Sequence, residues 1–395
     1  MINPVLKALA FLHEFSPLNN NIFSTTLATA CAILALCLCS CSGKPADDNK
    51  YAAKPDYVNM TENPDFFISR LNPAGQELSS WKELEPSLRK SLIYVNSKRS
   101  DELAISRAGH AVTWGELSRS LRMLMKLLPQ LDKDPELLAK NFVWVPIDGG
   151  IKYSGYYEPR VRASRVKKAG YEHPIYMPPP ELHKVRSKGR PYYDRKSIET
   201  LQVLANRDLE LAWAADPVDV FYLEIQGSGK LVFDDGSEAY INYAGQNGHK
   251  YKSSGRIMRE KGLLRRGDIF EQREWFRNNP DRVQEILHEN PSFVFFKFGG
   301  RGPTGAMGHT VDDWVSLATD RKFIPLGAIV AYGVNIPDEK YGNVPLRGIG
   351  LAQDVGGAIK QNRIDIFCGG DERANYVASF LDATGPAWIL LAKEK

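Results

Sequence analysis

Metal-binding patterns are missing from this chain. It carries seven histidines in 395 residues, yet no His-Glu-x-x-His and no Cys-x-x-Cys beside a histidine pair, so neither a metal nor another cofactor is expected. Cysteine is scarce beyond the N-terminal region. Four of the five, Cys31, Cys37, Cys39 and Cys41, fall in the uncharged stretch 27–43. Cys368 then has only Cys41 to pair with once a leader is removed. Charge of one sign is not concentrated anywhere: the net charge is +4 and Lys and Arg are spread, so nucleic acid is not an indicated partner. The glycine-rich stretch 299–308 lacks the Gly-Lys-Ser/Thr ending of a phosphate cradle and opens no helix, so it reads as a linker between domains.

What remains, 43% hydrophobic and 25% charged residues, is the composition of a globular protein with room for two domains. The apolar run 27–40 has 14 residues, against the roughly 20 that a membrane-spanning helix needs. It fits the apolar region of a secretory signal, although Lys7 is the only cation before it. It ends in Leu38-Cys39-Ser40-Cys41, which resembles the bacterial lipoprotein box, with Cys41 as the acylated residue. Several acyl chains at about 0.8 kcal/mol per buried CH₂ would anchor the chain to a membrane. Ser42 resembles the sorting residue of outer-membrane lipoproteins, which implies a lipid-anchored protein on the outer membrane facing the periplasm. Residues 41–57 are polar and without apolar periodicity, as expected of a tether.

Leu84, Leu88, Leu92 and Val95 recur at helical spacing, as do Leu117, Leu121, Leu124, Met125 and Leu128. Thr113 with Glu116 predicts a capping box for the second helix. After Phe142 the texture turns to strands. Residues 218–233 read as a hairpin about Gln226-Gly227-Ser228-Gly229, in which Phe221, Leu223 and Ile225 alternate with polar neighbours. Residues 256–290 return to helix before the strand 293–296.

Three aspartates edge short apolar runs near the C-terminus: Asp320, Asp354 and Asp365. Ile364 and Ile366 would share one strand face and Asp365 would take the other. A carboxyl beside apolar bulk is a candidate for a raised pKa, and so for a general acid. Asp354 precedes Gly356-Gly357, where backbone N–H groups would hold it ionised. Taken singly, each of the three reads first as a turn or strand-end aspartate capping backbone N–H groups.

Five stretches resemble the membrane-bound lytic murein transglycosylase A family: Gly155-Tyr156-Tyr157, 226–229, Tyr243 to Gly248, Asn290 to Lys297, and Asp354 to Lys360. They stand in order over about 250 residues. The resemblance implies an α+β fold, mainly β with helical segments. A double-psi β-barrel bearing three aspartates (58–158 and 300–395) would be interrupted by a β-rich insert (159–299), with a groove between them. It implies a lyase that cuts the β-1,4 bond between N-acetylmuramic acid and N-acetylglucosamine of peptidoglycan, leaving a 1,6-anhydro end, in cell-wall turnover. It further implies catalytic Asp365, supported by Asp354 and Asp320. Sugar contacts would come from Tyr156, Tyr157, Gln226, Gly227, Ser228, Gly229, Asn247, Tyr251, Gly356 and Gly357. The implied partners are a glycan strand, the membrane through the lipid, and proteins of cell-wall synthesis or hydrolysis. Two rivals stay open on the residues alone. One is an aspartic peptidase, from the superficial likeness of Asp354-Val355-Gly356 to Asp-Thr-Gly. The other is a non-catalytic peptidoglycan-binding lipoprotein.

Overall fold

Thr113 ends a strand and starts a helix by local chemistry alone. Its hydroxyl accepts the Glu116 N–H while the Glu116 carboxylate accepts the Thr113 N–H, so two otherwise unpaired donors are satisfied. The helix that follows, Trp114–Leu131, buries Leu117, Leu121, Leu124 and Leu128. The helix Glu85–Asn96 adds Leu88 and Val95 to the same core. Each such side chain contributes about 1.5–3 kcal/mol by leaving water. The computed structural model describes residues 57–394 apart from 108, 109 and 148. The leader, Cys41 and all but the last residue of the tether therefore lie outside the described residues. From Pro55 onward the chain is one unit, and no described helix is long and apolar enough to cross a membrane.

The strands run in three groups. β1 (Leu103–Arg107) and β2 (His110–Thr113) pair as a hairpin. β3 (Phe142–Pro146) and β4 (Ile151–Tyr156) then enter a large sheet. The chain leaves it to build a second sheet from β5 (Arg160–Ser164), β6 (His173–Tyr176), β7 (Glu210–Ala214), β8 (Ser228–Phe233), β9 (Glu238–Gln246) and β10 (Val294–Phe298). It returns to the first sheet with β11 (Ser316–Thr319), β12 (Ile329–Asp338), β13 (Gly342–Asp354), β14 (Arg363–Phe367), β15 (Ala383–Gly385) and β16 (Ala387–Ala392). The second sheet has the order β10-β9-β8-β5-β7-β6 and its own core, including Val161, Leu223, Leu231, Ile241 and Phe296. Helix and strand are thus mixed, as expected.

The larger sheet has the order β15-β4-β14-β11-β13-β12-β16-β3. Laid flat, β15 and β16 would stand about 29 Å apart, six spacings of about 4.8 Å. A single residue, Pro386, joins them. The sheet must therefore roll until its β15 edge meets β12. The Pro386 carbonyl marks the junction, accepting hydrogen bonds from Tyr153 Oη on β4 (2.8 Å) and from the Gly333 N–H on β12 (3.0 Å). Ile364, Ile366, Leu317 and Leu351 fill the inside of this roll.

One expectation fails here. Residues 217–226 are a helix, not the first arm of a hairpin. Asp216 caps Val218 N–H, Pro217 occupies the first turn, and Gly227 closes the helix with φ 80°. The apolar run fits either period, and these punctuating residues decide for helix.

Candidate active site

Strand register assembles the site from four distant segments. Ser154 on β4 stands opposite Asp365 on β14. Asp365 stands opposite Ala318 on β11, and Ala318 opposite Asp354 at the end of β13. Since Ile364 and Ile366 point into the roll, Asp365 takes the other face. There a separate apolar cluster of Tyr156, Val311, Ala318, Ile359 and Phe367 floors the site.

The two carboxyls are held differently. Asp365 Oδ1 accepts a hydrogen bond from Ser154 Oγ at 2.7 Å, and its other oxygen meets no protein donor among the described residues. Arg363 sets the direction of that bond. Its Nε and Nη2 donate to Ser154 Oγ at 3.2 and 3.0 Å, which leaves the hydroxyl proton free to point at Asp365. Burial raises the Asp365 pKa above the usual carboxylate range, while Ser154 and the Arg363 charge pull the other way. Asp354 has protein donors on both oxygens: Oδ1 accepts from the N–H groups of Val355 (2.8 Å) and Ala306 (2.9 Å), and Oδ2 accepts from Tyr156 Oη at 3.0 Å. The backbone donors favour the ionised form, as the sequence suggested, but do not hold the pKa at its ordinary value. Burial outweighs them and pushes Asp354 up to about 6, with a smaller upward push from Asp365. No hydrogen bond joins the two carboxyls, so they do not share a proton as a peptidase dyad would.

Asp320 is a tie rather than a member of the pair. It accepts the N–H groups of Lys322 (3.1 Å) and Gln361 (3.0 Å), joining the turn after β11 to the loop before β14. Against the effect of burial, those N–H groups and the nearby Lys360 and Lys322 hold it below the ordinary range. Gly356 and Gly357 form the turn beyond Asp354. A side chain at Gly356 would meet Ile359 Cγ1 at 2.5 Å, whereas Gly357 faces open space.

The stretch read as a linker does more than connect. Its Thr304 N–H donates to Asn242 Oδ1 on β9, and two residues on Ala306 reaches Asp354. Between them Gly305 has no room for a side chain, since a Cβ would stand 2.8 Å from the Gln353 carbonyl. The loop is clamped to both sheets. A sequence offers no sign of this beyond the density of glycine.

The remaining candidates divide. Tyr156 is buried and spends its hydroxyl on Asp354. Tyr157 is buried, and its N–H donates to Gln226 Oε1 at 3.0 Å, which draws the end of the helix Pro217–Gln226 to the crossing between the sheets. Ser228 and Gly229 begin β8. A Cβ at Gly229 would stand 2.5 Å from Leu223 Cδ1, so its glycine serves packing. Tyr251 is 40% exposed and available to a ligand. Asn247 is not. It is fully buried, donating to the carbonyls of Tyr193 and Pro291 and accepting from Phe293 and His249 N–H. That expectation is corrected: a polar residue in a polar segment was read as a ligand donor, and it is the pin that joins three backbone segments. Sequence reasoning also missed Ser154 and Arg363, whose meaning depends on the β4–β14 register.

Comparison with known proteins follows the same division of the chain. A family model described as the MltA specific insert domain matches residues 152–297, and the 3D domain model matches 315–391. The membrane-bound lytic murein transglycosylase A of Escherichia coli (strain K12) is 33% identical over 250 residues, which span 61% of this chain and 66% of that relative. A homolog from Buchnera aphidicola subsp. Schizaphis graminum is 30% identical over 342 residues, 83% of this chain and 87% of the relative. Among solved structures, E. coli MltA with bound chitohexaose superposes with a TM-score of 0.65 at 25% identity, covering 79% of this chain and 90% of that one.

Proposed function

The chain belongs to the membrane-bound lytic murein transglycosylase A family, and on that footing we propose that it cleaves the MurNAc–GlcNAc bond of peptidoglycan and leaves a 1,6-anhydromuramyl end. The observation that carries this reading is the inequality of the two carboxyls. Both have raised pKa values, but Asp365 has an oxygen free for a substrate, whereas Asp354 has protein donors on both of its oxygens.

A hydrolase built on two carboxyls needs one as acid and the other as base or nucleophile. One free carboxyl suffices when the nucleophile is part of the substrate. Protonated Asp365 donates to the glycosidic oxygen as the bond from C1 to that oxygen breaks. Its carboxylate then takes the proton of the muramyl 6-hydroxyl as O6 bonds to C1. The acid is regenerated and no water is consumed. Tyr156 and Ala306 fix Asp354 beside the site, and Asp320 ties the turn after β11 to the loop before β14.

We assign the glycan to the space between the Asp365 face of the rolled sheet and the 226–229 turn. Two bridges of the crossing support this, Tyr157 to Gln226 and Asn242 to the 302–306 loop. On this reading 58–158 with 300–395, and 159–299, act as two domains around the groove. E. coli MltA has been crystallised with chitohexaose, a chain of the sugar that lies on one side of the proposed bond. The relatives are called membrane-bound. With the lipoprotein-like sequence ending at Cys41, that supports an anchor in the outer membrane facing the periplasm.

The test is product analysis. Protein incubated with murein sacculi should release muropeptides ending in 1,6-anhydromuramic acid by mass spectrometry. Reducing ends alone would make the enzyme a hydrolase, and no release would leave a binding protein.

A further inference from the structure

The expectation that Lys and Arg are spread evenly fails in one place: two stretches of the second sheet's periphery contain no acidic residue, 182–193 and 239–259, and the fold laces them together. Tyr192 N–H donates to the Asn247 carbonyl at 2.7 Å, Asn247 Nδ2 donates to the Tyr193 carbonyl at 3.0 Å, and His249 Nε2 lies 2.8 Å from the Tyr192 carbonyl. The short helix Leu182–Ser187 lies over the end of β9. A Cβ at Gly245 would touch Leu182, and one at Gly248 would strike the Arg186 guanidinium.

The result is a fixed cluster of six cations: Lys184, Arg186, Lys188, Arg190, Lys250 and Lys252. Five are exposed and Arg186 is half-buried. Arg186 bonds the Arg190 carbonyl, and none of the six forms an ion pair with a carboxylate among the described residues. The nearest acids are engaged elsewhere: Glu181 pairs with Arg207, and Asp194 caps Ser197. Elsewhere on the surface cations do sit beside carboxylates, as Arg256 beside Glu260 or Arg282 beside Glu285. Six uncompensated charges held on bonded loops repel one another, and an anionic ligand would relieve that repulsion.

The patch lies on the line of the proposed groove. β9 carries Asn242, which grips the loop to Asp354, and four residues on, about 14 Å at 3.4 Å per residue, it reaches Gln246 and the cationic loops. Tyr243, 50% exposed, lies between the two.

We propose that this cluster binds the carboxylates of the stem peptides carried by the muramyl residues, next to the glycan strand. The inference rests on the peptidoglycan reading above and deepens it: the substrate is peptide-bearing glycan, gripped by charge on the insert while the glycan is cut over the rolled sheet. Contacts to exposed charges are individually weak, so the effect is on affinity and falls with salt.

The experiment compares peptide-bearing glycan strands with the same strands stripped by an amidase, using the full chain and a Lys184→Ala/Lys188→Ala/Lys250→Ala variant. All three lysines are exposed, and the melting temperature checks that the variant folds as the parent does. Equilibrium binding is read separately from turnover. The expected result is a Kd raised about fivefold for peptide-bearing strands, unchanged for stripped strands, with the parent's preference disappearing at high salt. Equal weakening on both strands, or no change on either, overturns the proposal. So does a variant that keeps both affinities but loses binding to phosphatidylglycerol vesicles, which would make the patch a lipid contact. A chain that discriminates the two strands yet releases no anhydro ends would sink the proposed reaction and leave the peptide site standing.

Discussion

The Asp365 face of the rolled sheet and the helices packed on the second sheet both withdraw carboxyls from water, and they treat them in opposite ways; elsewhere the rolled sheet also pairs a buried carboxylate, Glu62, with Arg347 on β13. In the second sheet Glu224 is buried against Arg195, whose guanidinium also holds Glu199 and the Ser292 carbonyl at 2.7–2.9 Å. Burial pushes Glu224 up to about 7 against the pull of Arg195, and both carboxyls of this cluster, Glu224 and Glu199, share that arginine. In the rolled sheet Asp354 and Asp365 are raised as well, yet no cation touches either. Arg363 comes close and is diverted to Ser154. A buried charge with a fixed partner contributes to the architecture, and removing the partner is costly. A buried carboxyl without one is held ready to keep and exchange a proton, at the expense of stability.

The largest effect that separates the two belongs to Asp365. Asp365→Asn should lower the release of anhydro ends by a thousandfold or more, since a lost general acid is worth about 10²–10⁴ in rate. The melting temperature should not fall, because a neutral amide is no worse buried than a raised carboxyl. A variant that kept full activity would move the acid to Asp354. Arg195→Met is the converse. It leaves Glu224 and Glu199 buried without their cation and should cost about 3–5 kcal/mol in denaturant unfolding, while the folded fraction keeps its turnover. If instead turnover fell with stability intact, the second sheet's charges would be part of the chemistry.

Asp354→Asn sharpens the contrast through pH. The folded carboxyl, raised to about 6, holds its proton more tightly than the unfolded chain does. Its ionisation therefore costs stability above pH 6 and nothing below about pH 4. Asn can keep its oxygen on the Val355 and Ala306 N–H groups. The variant should gain up to about 3 kcal/mol at pH 7.5, from about 1.36 kcal/mol per pKa unit, and the gain should vanish at pH 4. A gain that is equal at both pH values would mean that charge was not the cost.

Local features of this chain were legible in its sequence, and long-range ones only where a resemblance supplied them. The Thr113–Glu116 box lies within four residues and needed nothing else. The two faces of β14 followed from Ile364, Asp365 and Ile366 alone. The stretch 217–226 forms a helix against expectation, although its caps, Asp216, Pro217 and Gly227, stand in the sequence, because the short alternation of Phe221, Leu223 and Ile225 mimics a strand. Ser154 could not be paired with Asp365 across 211 residues, since that register is set by how the sheet rolls. Asn247 was misjudged for the same reason: its partners are 44 and 54 residues away.

The smallest predicted effect tests how the rolled sheet keeps its cation at one remove. Ser154→Ala removes a hydrogen bond that lowers the Asp365 pKa. The carboxyl should then hold its proton to higher pH, and the alkaline limb of the rate profile should move upward, with about a tenfold loss at the optimum from poorer orientation. Ser154→Thr keeps a hydroxyl at the same atom and should restore the limb. A purely structural role for Ser154 would lower the rate and leave the limb in place. A limb that moved to lower pH would mean that Arg363 had swung onto Asp365 once the hydroxyl was gone. Ser154 would then be the spacer that keeps a carboxylate–arginine pair, the arrangement of Glu224 with Arg195, away from Asp365.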